Sequence, residues 1–291
     1  MGDASAYKIR KGLFTMIVRN DFGEIVQLIV NIEVEGRTVY TMALYYADGL
    51  LIDTGPLSQR QDLNPFLDDL EVDLVVNTHH HEDHIGNNPL YAERGIPIFA
   101  HPAAVPLIND TSLWTPQLLY YQRFLFDLPP SSKCQPADDY IDSRKYRFQV
   151  IHTPGHSMDH IALFEEQNGW LFTGDLFRSV KVTHLRKNED FDVTMASLEN
   201  LLNYDFNTIF CSGGKIYESG RDKLREKIEW SKNLQASALQ LSKAGLDDNA
   251  IRDQLLGAEN LMGQFTEGDY TKLNMINAVL NSSFTAGEKR E

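Results

Sequence analysis

The chain is poor in several features that mark other classes of protein. Its 291 residues include only two cysteines, Cys134 and Cys211, whose separation suits neither a disulfide framework nor a cysteine metal site, so a reducing compartment is expected. No apolar run approaches the ~20 residues of a membrane span. The first six residues lack the apolar segment of a signal peptide, and Ala6 breaks the myristoylation pattern. We therefore expect a soluble, cytoplasmic protein without membrane contact.

Positive charge is also scarce. Lysine and arginine together number 27, against 41 aspartates and glutamates, and the net charge is −14. Binding to nucleic acid or to an anionic membrane requires a basic surface, so we expect neither partner and predict a small-molecule substrate instead. No G-x-G-x-x-G or P-loop pattern follows a strand, and no G-x-S-x-G surrounds Ser157. Dinucleotide binding, P-loop chemistry and a serine hydrolase are therefore not supported.

The first half of the chain has the pattern of a β-meander followed by a βαβ unit. Residues 7–55 are rich in β-branched residues, partly alternating, with turn signals at Glu35-Gly36 and Asp48-Gly49. Residues 58–70 predict a helix, and residues 89–94 predict a short helix between two buried strands. The aromatic segment 114–126 suits either a lid over a pocket or packing in the core.

The second half returns to strands and then becomes helical. Strands are predicted around residues 148–152, 161–164, 170–172 and 207–211, with a helix over 193–202 capped by Asp192. Apolar residues then recur at helical spacing and predict three helices, over 224–241, 247–256 and 270–280. This change in pattern predicts a main domain over residues 1–215 and a C-terminal helical region over residues 216–291. Such a region would allow a homodimer.

Residues 79–84 are the chemically richest segment, with four histidines and two acids directly after the apolar strand that ends at Val76. Imidazole and carboxylate together are the ligand set of zinc, iron or manganese. Desolvating so many ionisable groups is costly unless a cation compensates. The alternative is a solvated polar turn. Because alternate residues of an extended segment face the same way, His79 and His81 can both reach one ion.

Two further strand ends carry ligand-type residues. His156 follows Pro154-Gly155, a tight turn that allows the backbone to approach closely, and Asp175 follows Gly174 for the same reason. The two carboxylate oxygens of Asp175 could bridge two ions. Three separated strand ends therefore converge on one predicted metal site.

These motifs resemble the metallo-β-lactamase superfamily. The resemblance is carried by four motifs in the family's order, which cover roughly residues 15–215: Asp53 in Ile52-Asp53-Thr54-Gly55, then His79-x-His81-x-Asp83-His84, then Thr153-Pro154-Gly155-His156, then Thr173-Gly174-Asp175. It implies an α+β fold, a four-layer αββα sandwich with the metals at one edge. The helical C-terminal region would be an appendage to it.

The resemblance also implies roles for particular residues. It implies one or two divalent metal ions, zinc first, with iron or manganese as alternatives. One ion would be held by His79, His81 and His156, and the other by Asp83, His84 and Asp175. Asp53 would orient ligands without binding an ion.

The chain departs from the family's pattern after the last core strand. The family usually supplies a further histidine there, whereas this chain has Ser212-Gly213-Gly214-Lys215, with Gly214 or Lys215 in the histidine's place. Three outcomes are open: a weak second site, a substitute ligand, or a single-metal protein. His184 is the first substitute to test, against the alternative of an exposed loop histidine.

Such a site suits hydrolysis by a metal-bound hydroxide. Asp83 is the predicted catalytic residue, since it can orient the hydroxide and pass its proton to the leaving group. The resemblance extends to glyoxalase II, thioesterase-like and lactonase-like members, which implies a small thioester, ester or lactone substrate. β-Lactam and nucleic-acid cleavage rank low. The basic residues between Arg178 and Lys187 suit an anionic substrate or a solvated loop.

Two other function classes remain open. One is a di-iron redox or oxygen-binding protein on the same fold, although those relatives typically have glutamate where this chain has His81. The other is a sensor or binding module that keeps its metal but has little turnover.

Overall fold

Two large β-sheets lie face to face in the computed structural model, which describes residues 13–284. The first sheet has the strand order β1-β2-β3-β4-β5-β6-β7; β1 to β4 are antiparallel, and the remaining pairs are parallel. Its strands are β1 (Leu13–Phe22), β2 (Ile25–Val34), β3 (Arg37–Ala47), β4 (Leu50–Ile52), β5 (Leu74–Val76), β6 (Ile98–Ala100) and β7 (Gln135–Pro136). The predicted meander is confirmed from residue 13 onward, while residues 7–12 lie outside the described part.

The second sheet is antiparallel except for one central pair. In chain order, the remaining strands are β8 (Tyr140–Asp142), β9 (Arg147–His152), β10 (Ile161–Glu165), β11 (Trp170–Phe172), β12 (Leu185–Arg186), β13 (Thr208–Phe210), β14 (Ile216–Tyr217) and β15 (Tyr270–Thr271). The sheet has the order β14-β13-β11-β10-β9-β8, and β11 runs parallel to β13. Strands β12 and β15 form a separate two-stranded sheet.

Helices cover the outer face of each sheet. Those over the first sheet are α1 (Arg60–Asp68), α2 (Glu82–Ile85), α3 (Asn88–Glu93), α4 (Val105–Asn109) and α5 (Tyr120–Phe126). The later helices are α6 (Phe191–Leu201), α7 (Gly220–Lys243), α8 (Asp248–Leu256), α9 (Leu261–Phe265) and α10 (Lys272–Asn281). Of these, α6, α7, α8 and α10 pack on the second sheet. The predicted four-layer αββα sandwich is confirmed.

The two sheets are held together by an aromatic core. Phe148, Phe172 and Phe210 are fully buried between them, and the rings of Phe172 and Phe210 stack with centroids 4.7 Å apart. Burying each such ring contributes about 2–3 kcal/mol. The Tyr45 hydroxyl donates to the carbonyl of Cys211 at 2.7 Å and so joins the first sheet to the end of β13.

The C-terminal helices share their core with the second sheet. Leu224 and Ile228 of α7 and Ile276 of α10 belong to the same buried cluster as Phe177 and Met195. The division of the chain at residue 215 stays a prediction. Within residues 13–284, no helix is both long enough and apolar enough to cross a membrane.

The prediction that Asp192 caps the sixth helix is wrong. The helix begins at Phe191, and Asp190 is the cap, since its carboxylate accepts from the Val193 N–H at 3.0 Å. Asp192 instead accepts from the Ser283 N–H at 2.9 Å, and so fastens α6 to the end of α10. Either of two neighbouring aspartates satisfies the capping pattern, and only the extended backbone at Asp190 selects between them.

Gly155 offers a test of the close approach that the site requires. A methyl group at this position, where φ is +137°, would lie 2.5 Å from the Thr194 Cα. We expect Gly155→Ala to lower the free energy of unfolding by about 3 kcal/mol. Gly23→Ala is the control, because φ is +61° there but no atom lies within 4 Å of the added methyl. It should cost about 1 kcal/mol in the same denaturant titration. Equal losses would contradict the steric explanation.

Candidate metal centre

All six predicted ligands lie together at one edge of the sandwich. Strands β4 and β5 are parallel neighbours in one sheet, as are β11 and β13 in the other, so their carboxyl ends meet at this edge. Residues 79–84 follow β5, and Asp175 follows β11. His156 lies on the loop between β9 and β10. The short segment after each strand therefore holds its ligand-type side chain close to the others.

Three imidazoles form the first group. The His81 Nδ1 lies 3.0 Å from the His79 Nε2 and 3.0 Å from the His156 Nε2. Two nitrogens that share a tetrahedral ion at about 2.0–2.1 Å lie about 3.3 Å apart, so this spacing suits one ion. Burial lowers the pKa of His79 and of His81 well below the ordinary value. Both imidazoles are therefore neutral, as metal ligands must be.

The second group surrounds His84. Its Nε2 lies 3.3 Å from the Asp175 Oδ1 and 3.4 Å from the Asp83 Oδ2. This nitrogen is buried and has no hydrogen-bond partner among residues 13–284. Burial acts to lower the pKa of His84, but Asp83, Asp53 and Asp175 outweigh it and raise the pKa well above its usual value. The position therefore favours positive charge, and a divalent ion fits the donor set.

Asp175 joins the two groups. Its Oδ1 faces His84, and its Oδ2 lies 3.5 Å from the His156 Nε2. His79 also lies within ligand distance of His84 and Asp175. The structure thus brings the predicted ligands together, while their division between two ions stays a prediction.

Asp53 holds the second imidazole in orientation. Its Oδ2 lies 2.7 Å from the His84 Nδ1, and its Oδ1 accepts from the Thr78 N–H at 2.8 Å. A proton held on Nδ1 leaves Nε2 to face the carboxylates, which is the role expected of Asp53.

His160 positions Asp175. The His160 Nε2 accepts from the Asp175 N–H at 3.1 Å, and its Nδ1–H donates to the Thr153 Oγ1 at 2.8 Å. Burial lowers the pKa of His160 to about 3, so the ring stays neutral. A side chain on Gly174 would lie 2.6 Å from the His160 Nε2, so this contact requires a glycine.

Polar side chains from three segments of the chain hold the two carboxylates of the second group. The Ser212 hydroxyl donates to the Asp175 Oδ1. The Arg178 guanidinium donates to the Asp175 Oδ2 at 3.0 Å and to the Tyr40 hydroxyl at 3.1 Å, and Tyr40 in turn donates to Asp83. Both carboxylates of the second group are therefore held by hydrogen bonds from the chain itself.

The remaining histidines are separate from the two groups. His184 lies 3.3 Å from the Asn260 Oδ1 and stacks on Tyr270; within residues 13–284 it joins neither ligand group. His101 and His152 stack on each other at 4.1 Å. The substitute-ligand hypothesis for His184 therefore gains no support.

Two contacts of the site have no signal in the sequence. Tyr40 is one of several aromatic residues in β3, and Glu189, whose Oε2 lies 3.3 Å from the His156 Nδ1, is one acid in a polar loop. Ser212 was detectable, since it lies in the turn where a histidine was expected.

A cavity of about 280 Å³ opens beside the metal centre. His156 and Asp175 line it at one end, and residues of α5, α6, α7 and the C-terminal segment line the rest. Tyr121 and Phe126 of the aromatic segment are buried in the core and also line the cavity, which supports the packing hypothesis, while the lid stays a prediction.

Asp159 holds His80, which lies between the ligand-type residues His79 and His81. It accepts from the His80 N–H at 2.9 Å, and its Oδ1 lies 3.0 Å from the His80 Nδ1. Burial opposes ionisation, but the contacts with His80 outweigh it and lower the pKa of Asp159 to about 2. Because the folded pKa lies below the ordinary value of 3.8, this stabilisation is present above about pH 4 and is lost as the pH falls toward 2.

We therefore expect Asp159→Asn to lower the free energy of unfolding by about 2 kcal/mol at pH 7. The difference from the wild type should shrink between about pH 4 and pH 2, as measured by denaturant titration at each pH. Asp138→Asn, at an exposed position, should change stability by less than about 0.5 kcal/mol. A pH-independent loss at Asp159 would contradict the electrostatic explanation.

Comparison with known proteins agrees with this geometry. Over 192 residues, the chain is 29% identical to the lactamase-like protein aptB of Emericella nidulans, a match that covers 62% of this chain and 52% of that protein. Over 176 residues it is 30% identical to a hydroxyacylglutathione hydrolase of Xylella fastidiosa, covering 60% of this chain and 58% of that one. The chain thus spans little more than half the length of these curated relatives.

The fold is shared with solved structures. A metallo-beta-lactamase family protein from Thermus thermophilus superposes with a TM-score of 0.60 at 18% identity, covering 91% of each chain. The sequence model described as "Metallo-beta-lactamase superfamily" matches residues 45–213, which is more than half of the chain. The chain therefore belongs to the metallo-beta-lactamase superfamily.

Proposed function

We propose that the protein is a metal-dependent hydrolase of a small thioester, ester or lactone. His79, His81 and His156 would hold the first of one or two divalent ions, with zinc expected ahead of iron or manganese. One observation carries the proposal: three imidazoles converge beside the buried Nε2 of His84, next to a cavity of substrate size. The similarity to proteins named hydroxyacylglutathione hydrolase supports an acyl substrate.

The three histidines would hold an ion that would supply Lewis acidity, able to activate a water and to polarise a carbonyl group. The chain supplies the proton handling. Asp83 would accept a proton from the attacking water and deliver it to the leaving group. The Tyr40 hydroxyl donates to the Asp83 Oδ2 and so fixes one carboxylate oxygen. Burial raises the pKa of Tyr40 well above its usual value, so this hydroxyl stays a donor at neutral pH.

The cavity would hold the acyl group and exclude water from it. Leu125, Phe126 and Phe191 contribute apolar surface, and Met262 and Met275 of the C-terminal segment lie on the same wall. Unbranched methionine side chains adapt to irregular shapes, which suits a wall that closes on a small ligand. A volume of about 280 Å³ favours a short acyl group.

Removing one imidazole tests the metal assignment. We expect His156→Ala to lose at least one ion per chain by elemental analysis and about 100-fold or more in thioesterase or lactonase activity. His152→Ala is the matched control, since His152 stacks on His101 away from the cluster. It should keep both metal and activity. Full metal content and activity in His156→Ala would contradict the assignment of His156 as a metal ligand.

The wild-type protein also separates the function classes. Bound zinc with hydrolysis of a thioester or lactone supports the proposal. Bound metal without turnover on any such substrate would favour a sensor or binding module, and bound iron with reversible redox chemistry but no hydrolysis would favour a di-iron protein.

Asp83→Asn tests the proton transfer separately from metal binding. We expect the ion at the three histidines to remain, while kcat falls about 100-fold or more. Tyr40→Phe removes the hydrogen bond donated to Asp83 and the one accepted from Arg178, and should cost about 10-fold. Unchanged kcat in Asp83→Asn, with metal content held equal, would rule out the acid–base role.

A further inference from the structure

The cavity beside the metal centre is more positive than the acidic chain around it. Its lining includes three cationic side chains, and two of its acids are already engaged. Asp175 is paired with Arg178 at 3.0 Å, and Glu189 faces His156 at 3.3 Å. Within residues 13–284, neither Arg186 nor Lys227 has a carboxylate within 4.0 Å. In a chain with a net charge of −14, two unpaired cations in one cavity point to an anionic ligand.

The backbone of Arg186 is held in place, whereas the carboxylates that act on its guanidinium, those of Glu82, Asp83 and Glu189, all lie beyond 4.0 Å. Arg186 pairs with Tyr270 across the β12–β15 sheet, and its backbone N–H donates to the Glu189 Oε1 at 3.2 Å. The guanidinium is partly buried, yet among residues 13–284 it makes no hydrogen bond or ion pair. Five N–H donors without an acceptor are costly in a partly buried position, and a planar anion would satisfy them.

Arg186 also lies at the metal end of the cavity. The carboxylate of Glu189 contacts both the Arg186 backbone N–H, at 3.2 Å, and the His156 Nδ1, at 3.3 Å. Arg186 is therefore close enough to the metal ligands for one short molecule to reach both. The neighbouring Lys187 is exposed and does not line the cavity, so this basic loop presents Arg186 inward and Lys187 to solvent.

Lys227 adds a second positive charge to the cavity wall. It is 5% exposed, donates to the Ser179 carbonyl at 3.1 Å, and lies 5.6 Å from the centre of the Phe177 ring. Burial lowers the pKa of Lys227 to about 8, so the charged form is disfavoured by its surroundings. An anion bound in the cavity would offset that cost, because its negative charge favours the charged form of Lys227.

We propose that the cavity binds a carboxylate carried by the acyl part of the substrate, with Arg186 as its direct partner. The inference rests on the proposed hydrolase function and narrows it to short acyl thioesters, esters or lactones with a terminal carboxylate. A carboxylate matches the fork of N–H donors on Arg186, and a short chain spans from there to the metal centre within about 280 Å³.

Binding is tested first, without turnover. The probes are glutaramate, which carries one carboxylate, and its neutral counterpart glutaramide, titrated calorimetrically into the metal-loaded protein. We expect the wild type to bind glutaramate about 30-fold or more tightly than glutaramide, and Arg186→Gln to reduce that preference to less than about 3-fold. Lys187→Gln removes the same charge one residue away and should keep the preference.

These outcomes distinguish whether the carboxylate of the probe binds to Arg186 or to the metal ion. If Arg186→Gln keeps the full preference, the carboxylate binds the ion directly and the inference is overturned. Arg186→Lys retains the charge and should recover part of the preference, which guards against a general structural effect of the glutamine. Equal binding of both probes by the wild type would also overturn the inference.

Turnover then separates this inference from the proposed function. The substrates are the S-butanoyl and S-glutaryl thioesters of N-acetylcysteamine. In Arg186→Gln we expect the ratio of KM for the glutaryl thioester to KM for the butanoyl thioester to rise about 30-fold or more, since only the glutaryl substrate carries the carboxylate. Hydrolysis of both at equal kcat/KM by the wild type overturns the inference but leaves the hydrolase standing. Arg186-dependent glutaramate binding with no hydrolysis overturns the hydrolase but leaves the anion site.

Discussion

The arrangement of the site depends on the electrostatic surroundings of one buried imidazole. Carboxylates of Asp53, Asp83 and Asp175 lie 2.7, 3.4 and 3.3 Å from the ring nitrogens of His84. Three carboxylates gathered in a buried position repel one another unless positive charge lies between them. The fold therefore brings these three acids together at a position that requires a cation between them. Arg178, which pairs with Asp175 at 3.0 Å, supplies a fixed part of that charge.

The backbone makes this crowding possible. Except for His156, the ligand-type residues of the edge directly follow strands that are already fixed by the aromatic core. Where two segments must approach more closely than side chains permit, the chain has Gly155 and Gly174, both with positive φ. The site residues therefore lose little additional conformational entropy, because the packing of the two sheets already fixes their backbone.

Much of the fold and the ligand set could be predicted because the relevant signals are local. The ligand-type residues at 79–84 are consecutive in the sequence. The alternation of apolar and polar residues in β2 and β3 is likewise a pattern of neighbouring residues. The contacts of Tyr40 and Glu189 could not be assigned in this way, because each depends on which distant segment its element packs against. Their partners lie 43 and 33 positions away in the sequence, respectively.

The two-residue pairing of β12 with β15 links the C-terminal segment to the cavity. It joins the loop after Asp175 to the residues just before α10, and the Asn274 Nδ2 reinforces it by donating to the Leu185 carbonyl at 3.1 Å. Any ligand that fixes this loop must therefore also strengthen the docking of α10, and by thermodynamic reciprocity a more firmly docked α10 must tighten the ligand. The last helix of the chain is in this sense part of the binding equilibrium, although it contributes no metal ligand.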